Sequence, residues 1–368
     1  MKNIILGAGA SGLFLASLLK KDYLIIEHND AVGRKIKISG GGKCNITNKI
    51  VSFKNYKGDN DFIKRALKEF DNKDLLKWLK KNKLEVKELK KNQFFFNSSD
   101  VLLSFFKKNV KNIKLNTEIL DVEENRVITN KGVFEAKNII IATGGVSFKK
   151  LGASDIGFRL AEKFSHNIAP LKPALVGFTV QKEEFWFKKL SGISIFTDVY
   201  VENKKFKDNI LFSHKGITGP AILNASLWWE RGKIKIDFLA GRKIESFLKN
   251  PNKIISTQIP LPKRFVKEFL NSIGVEDKKI KLLSKKEFEN LKKINCYEFA
   301  PAGTFGFERA EVTKGGVVTD EIDEFMRSKL NKNIFFIGEV LDVAGELGGY
   351  NFQWAFTSAF NAFRFLSR

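Results

Sequence analysis

The chain has 368 residues, 43% hydrophobic and 29% charged, which are proportions of a globular enzyme with room for two or three domains. No apolar run reaches the roughly 18 residues of a membrane-spanning helix, and two cysteines, Cys44 and Cys296, exclude a disulfide scaffold and a CxxC pair and fit a reducing cytoplasm. A net charge of +23 would attract phosphate-bearing cofactors, anionic substrates or nucleic acid, but the lysines are scattered in pairs such as Lys80-Lys81 and Lys292-Lys293, so the charge reads as a compositional bias.

Residues 3–6 form a short apolar run before a glycine turn and are expected to be a buried parallel strand. Small and apolar residues at helical spacing follow over 11–19, and residues 23–26 make the next strand. The opening apolar stretch imitates a signal peptide, but its central glycine turn fits a strand–turn–helix. Residues 61–110 are expected to be helical and amphipathic, interrupted over 92–99, and residues 113–141 to be a β-meander. From 170 to 241 the pattern is strand-rich with one helix over 217–229; residues 243–293 read as helices, including 263–271. Strand character returns at 310–318, and the chain closes with a buried strand, 334–337, a glycine loop and an aromatic-rich helix over 351–366. Its aromatics Phe352, Trp354, Phe356, Phe360 and Phe363 are expected in the core.

The residues Gly7-Ala8-Gly9-Ala10-Ser11-Gly12 match G-x-G-x-x-G between a strand and a helix, and Glu27 ends the next strand 20 residues after Gly7. Gly7 permits the tight turn, Gly9 lets backbone approach a pyrophosphate, and Gly12 allows close helix–strand packing. The phosphates would sit at the helix N-terminus, where free N–H groups point, and Glu27 would accept bonds from a ribose.

Two further glycine segments suit a longer ligand and select FAD over a nicotinamide alone. In residues 33–45, three consecutive glycines, Gly40, Gly41 and Gly42, follow Ser39, and Gly33, Arg34, Lys35, Lys43, Cys44 and Asn45 flank them. Glycines there make sense where main chain must touch a flat or phosphorylated ligand. Cys44 lacks a second cysteine at resolving spacing and is expected to pack rather than react. The third segment holds Gly338, Glu339 and Asp342, then Gly348, Gly349, Tyr350 and Asn351, just before the last helix. Its helix N-terminus would stabilise negative charge on a reduced flavin, with Glu339 or Asp342 at ribityl hydroxyls.

The sequence resembles the bacterial BaiN-like (YhiN-like) NAD(P)/FAD-dependent oxidoreductases. The matching stretches are residues 33–48 (GRKIKISGGGKCNITN), 142–145 (ATGG), 212–220 (FSHKGITGP), 261–264 (LPKR), 310–317 (AEVTKGGV) and 338–356 (GEVLDVAGELGGYNFQWAF). The resemblance implies an α/β, glutathione-reductase-like FAD-binding Rossmann domain that is discontinuous, with an inserted β-barrel-like domain and a small helical subdomain. The boundaries expected are 1–168 with 310–368 for the FAD domain, 169–242 with 294–309 for the β-rich insert, and 243–293 for the helical part. It also implies that Gly40 to Asn45, Thr143-Gly144 and Gly349 to Asn351 line the cofactor; His28, Ile119 and Ala142 complete the expected set. Residues 92–99 (NQFFFNSS) and 345–347 depart from relatives and bear on the substrate side of the flavin.

Beyond the flavin, reduction of a C=C bond needs a proton donor. His214 is the first candidate and Tyr350 the alternative, with Arg309 to hold an anionic or carbonyl oxygen. No His, Cys and carboxylate cluster has metal-ligand spacing. The expected function is hydride transfer to an unsaturated or carbonyl-conjugated small molecule, with NADH or NADPH visiting as transient donor because no second G-x-G-x-x-G exists. The alternatives are a tRNA-modifying flavoprotein, which the dispersed lysines disfavour, and a non-catalytic flavin-binding regulator. The oligomeric state is left open.

Overall fold

Strand β1 (Asn3–Leu6) is buried along its whole length because it is flanked on both sides by other apolar strands. One neighbour is β2 (Tyr23–Ile26), the other Asn138–Ile141; Ile113–Lys114 and Ile334–Phe336 add the two edges of a five-stranded, all-parallel sheet. Sequences such as NIIL, YLII and NIII, apolar without alternation, are what a sheet covered on both faces requires. Its register is marked at one end by a buried amide pair: Asn138 Nδ2 donates to Asn3 Oδ1 (2.9 Å), and the two residues are cross-strand partners.

Helix α1 (Ala10–Leu19) returns the chain to β2 and packs against the last helix, Tyr350–Leu366, with the Phe14 and Phe356 ring centroids 4.6 Å apart. Of the tail aromatics, Trp354 and Phe356 are core; Phe352, Phe360 and Phe363 are only half-buried. The stripe that is fully buried is polar: Gln353, Thr357 and Asn361, four residues apart. Thr47 Oγ1 donates to Gln353 Oε1 (2.6 Å), Thr357 Oγ1 to the Phe70 carbonyl (2.7 Å), and Asn361 Nδ2 to the Ala66 carbonyl (3.1 Å). Buried polar groups are tolerated when paired, and this ladder fixes where the helix sits along its axis.

The structure, a computed structural model, describes residues 1–368, in two compact units: residues 1–172 with 312–368, and residues 173–311. In the first, residues 61–110 are less helical than expected. Helices Asn60–Glu69, Asn72–Lys81 and Ser99–Asn109 are separated by a hairpin, Lys87–Lys90 with Gln93–Phe95, that pairs with β3 (Asn45–Asn48). Nor is 113–141 one meander. Only Ile119–Glu123, Arg126–Thr129 and Gly132–Glu135 form an antiparallel sheet, while Asn138–Ile141, too apolar for a half-solvated sheet, and the short edge strand Ile113–Lys114 enter the parallel one.

The second unit is built on a seven-stranded antiparallel sheet in the order Tyr297–Phe299, Ile234–Asp237, Ser194–Val201, Lys204–Ser213, Gly216–Thr218, Phe178–Val180 and Pro301–Thr304. Helix Pro220–Trp228 starts on a proline, whose missing N–H has no helical partner there to lose. Helix Lys263–Ser272 buries Phe265 and Phe269 in the same hydrophobic core as Phe212 and Phe238 of the sheet side.

A buried polar knot in the first unit gives a pH-dependent contribution to stability. Ser328 Oγ accepts from the backbone N–H of Leu330 and Asn331, so its own hydrogen goes to His166 Nε2 (2.7 Å), and Nδ1–H donates to Glu321 Oε2 (2.9 Å). Burial pushes the His166 pKa down despite Glu321. Burial also acts to raise Glu321, but bonds from Asn167 and His166 hold it below the ordinary carboxylate value. Both groups are depressed in the native state, so both contributions are present above their unfolded values and are lost as pH falls through them. The melting temperature should drop between about pH 7 and about pH 5, the window below the unfolded histidine value. In His166→Gln the drop should flatten; a variant with the wild-type pH slope would refute the assignment.

Candidate functional site

The turn between β1 and α1 has no room for side chains on its protein side. Gly7 has φ +107°, and a Cβ there would lie 2.6 Å from the Ala142 carbonyl oxygen. A Cβ on Gly12 would lie 2.2 Å from the Gly7 carbonyl oxygen. Gly9 differs: its backbone (φ −80°) suits any residue, and a Cβ would meet nothing within 4 Å. Gly9 is also the N-cap of α1, where no side chain caps the helix and no acid stands in the first turn, so the N–H groups of the turn holding Ala10 and Ser11 face outward with their positive dipole end.

Glu27, at the end of β2, is buried and bound into this turn. Its Oε2 accepts from Ala8 N (2.7 Å), and its Oε1 from Asn29 N (2.9 Å) and Nδ2 (2.7 Å), with His28 Nδ1 at 3.2 Å. Gly33 N–H donates to the Ala8 carbonyl (2.9 Å), so the second glycine segment begins against the first. Thr117 N–H donates to the Glu27 carbonyl (2.9 Å), which brings the chain up to Ile119 beside it.

Helix α2 (Arg34–Gly42) is regular only at its start. Ser39 turns extended, and Gly40, Gly41 and Gly42 take left-handed φ values of +57°, +66° and +82°. Gly40 is backed by Asn45 N, 2.9 Å from where its Cβ would be, whereas Gly41 and Gly42 open onto empty space. Arg34 is paired outward with Asp30 (2.6 Å). Lys35 Nζ instead reaches Glu339 Oε2 (2.7 Å), and Glu339 Oε1 accepts from Thr313 N (2.9 Å). Lys43 is exposed. Cys44 is buried, and burial pushes its thiol up to about 12, a protonated group unsuited to nucleophilic or redox work at neutral pH.

At the end of strand Asn138–Ile141, Ala142 N–H donates to the Leu6 carbonyl. Thr143 Oγ1 is buried with no hydrogen-bond partner, and Gly144 has φ +76° with open space beyond it. Gly338 approaches α1 so closely that its Cβ would stand 2.7 Å from Ser11 Oγ. Asp342 N–H donates to the Val317 carbonyl (2.9 Å). Gly348 O accepts from Asn48 Nδ2 (3.1 Å), and Gly349, left-handed at φ +93°, is a second helix N-cap without a side-chain cap. Asn351 is occupied with Gly345, accepting from its N–H (2.8 Å) and donating to its carbonyl (2.9 Å). Tyr350 donates its hydroxyl to the Ile50 carbonyl (3.1 Å), and burial pushes the phenol up to about 12.

The expected cofactor residues are thus gathered in the first unit around open glycine backbone, two uncapped helix ends and one orphaned hydroxyl. These features fit a long ligand carrying phosphates at one end. His214 and Arg309 belong to the other unit and are exposed. The motifs assign no role to Asn29, Thr313 and Gln93, which hold Glu27, Glu339 and Asn45 in place. Thr313 and Gln93 fall within the stretches 310–317 and 92–99 without being singled out, and Asn29 has no signal beyond following Glu27. No group of three or more His, Cys, Asp or Glu residues is placed to hold a metal ion.

Residues 1–364 match the model of the family described as "HI0933-like protein Rossmann domain". The chain belongs to this family. It is 36% identical over 395 residues to the ribosomal RNA dihydrouridine synthase of Haemophilus influenzae, covering 100% of this chain and 98% of that protein. It is 27% identical over 412 residues to the 3-dehydro-bile acid delta(4,6)-reductase of Clostridium scindens, covering 98% and 97%. Among solved structures, the 3-ketosteroid-delta4-(5alpha)-dehydrogenase of Rhodococcus jostii RHA1 is similar in fold, with a TM-score of 0.54 at 12% identity, covering 100% of this chain and 96% of that one. The BaiN-like and YhiN-like resemblance of the sequence therefore holds.

Two glycine substitutions should separate fold from ligand. Gly12→Ala puts a methyl group into the Gly7 carbonyl and should leave little folded protein. Gly9→Ala should keep the melting temperature of the apoprotein, since nothing lies in its way, yet weaken flavin binding at least tenfold, about 1.4 kcal/mol. Unchanged flavin affinity in Gly9→Ala, read by fluorescence titration, would remove Gly9 from the site.

Proposed function

We propose that this chain is an FAD-dependent oxidoreductase that reduces the C5=C6 bond of uridine in ribosomal RNA. The observation that carries the reading is full-length identity of 36% to a protein named for that product, combined with a glycine cradle open where a dinucleotide would lie. When bound, the flavin supplies two-electron hydride chemistry that no side chain can. The uncapped start of α1 would hold the pyrophosphate against Gly9, with Glu27 at the adenosine ribose. Gly41, Gly42 and Gly144 would let the backbone lie against the cofactor. Lys35 and Glu339 would polarise its far half, near the uncapped helix start at Gly349.

The names of the two relatives describe one chemistry. Uridine C5=C6 and a steroid Δ4 or Δ6 bond are both conjugated to a carbonyl. Hydride adds to the carbon remote from that carbonyl, and a proton goes to the nearer one. His214 is the candidate proton donor and Arg309 the candidate partner of the carbonyl oxygen. Tyr350, its hydroxyl already bonded to Ile50, is assigned a positioning role instead. The preference for a small molecule drawn from scattered lysines yields here to identity: 36% to the RNA enzyme against 27% to the steroid enzyme, at a net charge of +23. The insert is read as barrel-like, the setting as a cytoplasm that keeps Cys44 and Cys296 reduced, and the donor as NADH or NADPH visiting the flavin.

Unmodified in-vitro-transcribed ribosomal RNA, incubated with the flavin-loaded protein and each nicotinamide in turn, should gain two hydrogens on uridine by mass spectrometry. His214→Ala should slow this roughly a hundredfold or more while flavin reduction by the nicotinamide keeps its rate. Reduction of simple enones with no reaction on RNA would favour the small-molecule reading.

A further inference from the structure

The hairpin that interrupts the helices of residues 61–110 leaves a set of cations without work in the fold. Strand Lys87–Lys90 is the edge of its three-stranded sheet, and all four of its residues are exposed. The chain turns through Lys91 and Asn92, the latter at φ +64°, and the Asn92 carbonyl accepts from Lys49 N–H (2.6 Å). Lys49, Lys90 and Lys91 therefore meet at one tip, all exposed, and none of them is paired with a carboxylate. The hairpin's own acid, Glu88, gives its Oε1 to Asn92 N–H (2.7 Å). Among these charges stand two exposed aliphatic side chains, Ile50 at 61% and Leu89 at 46%.

This tip adjoins the candidate site. Asn48, next to Lys49, bonds the Gly348 carbonyl, and Ile50 accepts the Tyr350 hydroxyl. Gln93, next to the turn, lies 3.5 Å from where a Gly348 Cβ would be. Lysines on an edge strand guard against unwanted pairing, but Lys49 lies beyond the end of β3 and Lys91 beyond the end of Lys87–Lys90, outside the strands themselves. Protection of an edge also gives no reason for bare Ile50 and Leu89 between the charges.

Unpaired ammonium groups held together repel one another, and a polyanion relieves that repulsion while releasing its own counterions. Apolar side chains between them offer a surface to the face of an unstacked base. We propose that the tip formed by Lys49, Lys90 and Lys91 grips the phosphate backbone of single-stranded ribosomal RNA beside the 348–350 end of the site, with Ile50 and Leu89 against a flanking base. The proposal rests on the RNA reading above.

The test compares Lys49→Gln/Lys90→Gln/Lys91→Gln with a control of equal charge change in the other unit, Lys253→Gln/Lys281→Gln/Lys286→Gln, all exposed positions. The probe is the unmodified ribosomal RNA transcript, its affinity measured across a salt series. Loss of three phosphate contacts on a single strand should shallow the slope of log K against log salt by about 2, at roughly 0.7 per contact. The control should keep the wild-type slope. The tip variant should also need about tenfold more RNA for half-maximal rate, while its flavin content and its reduction of 2-cyclohexen-1-one stay at wild-type values. Equal slopes in the tip variant and the wild type, with the wild type still reducing RNA, would overturn the grip and leave the function standing. A wild type that reduces the enone but neither binds nor reduces RNA would overturn both.

Discussion

The constraint on which the first unit depends is the approach of three backbone segments within a side chain's width. The turn at Gly7 lies against the Ala142 carbonyl, Gly12 of α1 lies over the Gly7 carbonyl, and Gly338 comes down onto Ser11. None of these contacts tolerates a Cβ, so the ends of three parallel strands converge on the start of one helix. Convergence at the carboxyl ends of parallel strands is where open α/β sheets take ligands. The helix that caps the arrangement, Tyr350–Leu366, is positioned by a buried polar ladder rather than by apolar contact alone. Sliding the helix by a turn would not only disrupt its apolar packing but strand the partners of Gln353, Thr357 and Asn361.

Much of this was legible in the sequence because the signals are local. The runs at 3–6, 23–26 and 138–141, the glycine spacing and the placement of Glu27 all depend on residues near one another, and strand and helix fell where they pointed. Reading failed where a choice depended on a distant partner. Residues 87–95 carry lysines, glutamate and leucine in a pattern open to helix, yet they become a hairpin because β3 offers an edge to pair with. The meander expected over 113–141 loses its first and last strands to the parallel sheet for the same reason. In the last helix the large aromatics drew attention, while the fully buried positions also include the polar Gln353, Thr357 and Asn361, whose partners lie some 300 positions earlier.

Within the site the sequence named residues more readily than it assigned their tasks. Glycines could be sorted only once their surroundings were known: Gly7, Gly12, Gly40 and Gly349 are small because protein backbone crowds them, and Gly9, Gly41, Gly42 and Gly144 are small where no protein stands. Only the second group leaves room for a ligand, and within it only Gly9 has a backbone that any residue could adopt. The polar residues divide in the same way. Asn351 closes on Gly345, Tyr350 on Ile50 and Arg34 on Asp30, so each is occupied by the fold. Thr143 Oγ1 alone among them is buried with its bonding capacity unspent.

That division has a chemical consequence for an enzyme that must act on a nucleobase or on a flat enone. Neither substrate offers the protein a charge at the reacting bond, and the hydride comes from the cofactor, so selectivity cannot be concentrated in a catalytic side chain. It must arise from what holds the rest of the substrate. For a steroid that would be apolar surface; for RNA it is phosphate, a repeated anion that repays dispersed cations. On this reading the rim of the cradle would decide the substrate; Gln93, in the segment 92–99, bonds Asn45 and lies beside Gly348. Most lysines stay scattered along the sequence, but β3 and the hairpin bring one of them, Lys49, to the neighbouring pair Lys90 and Lys91.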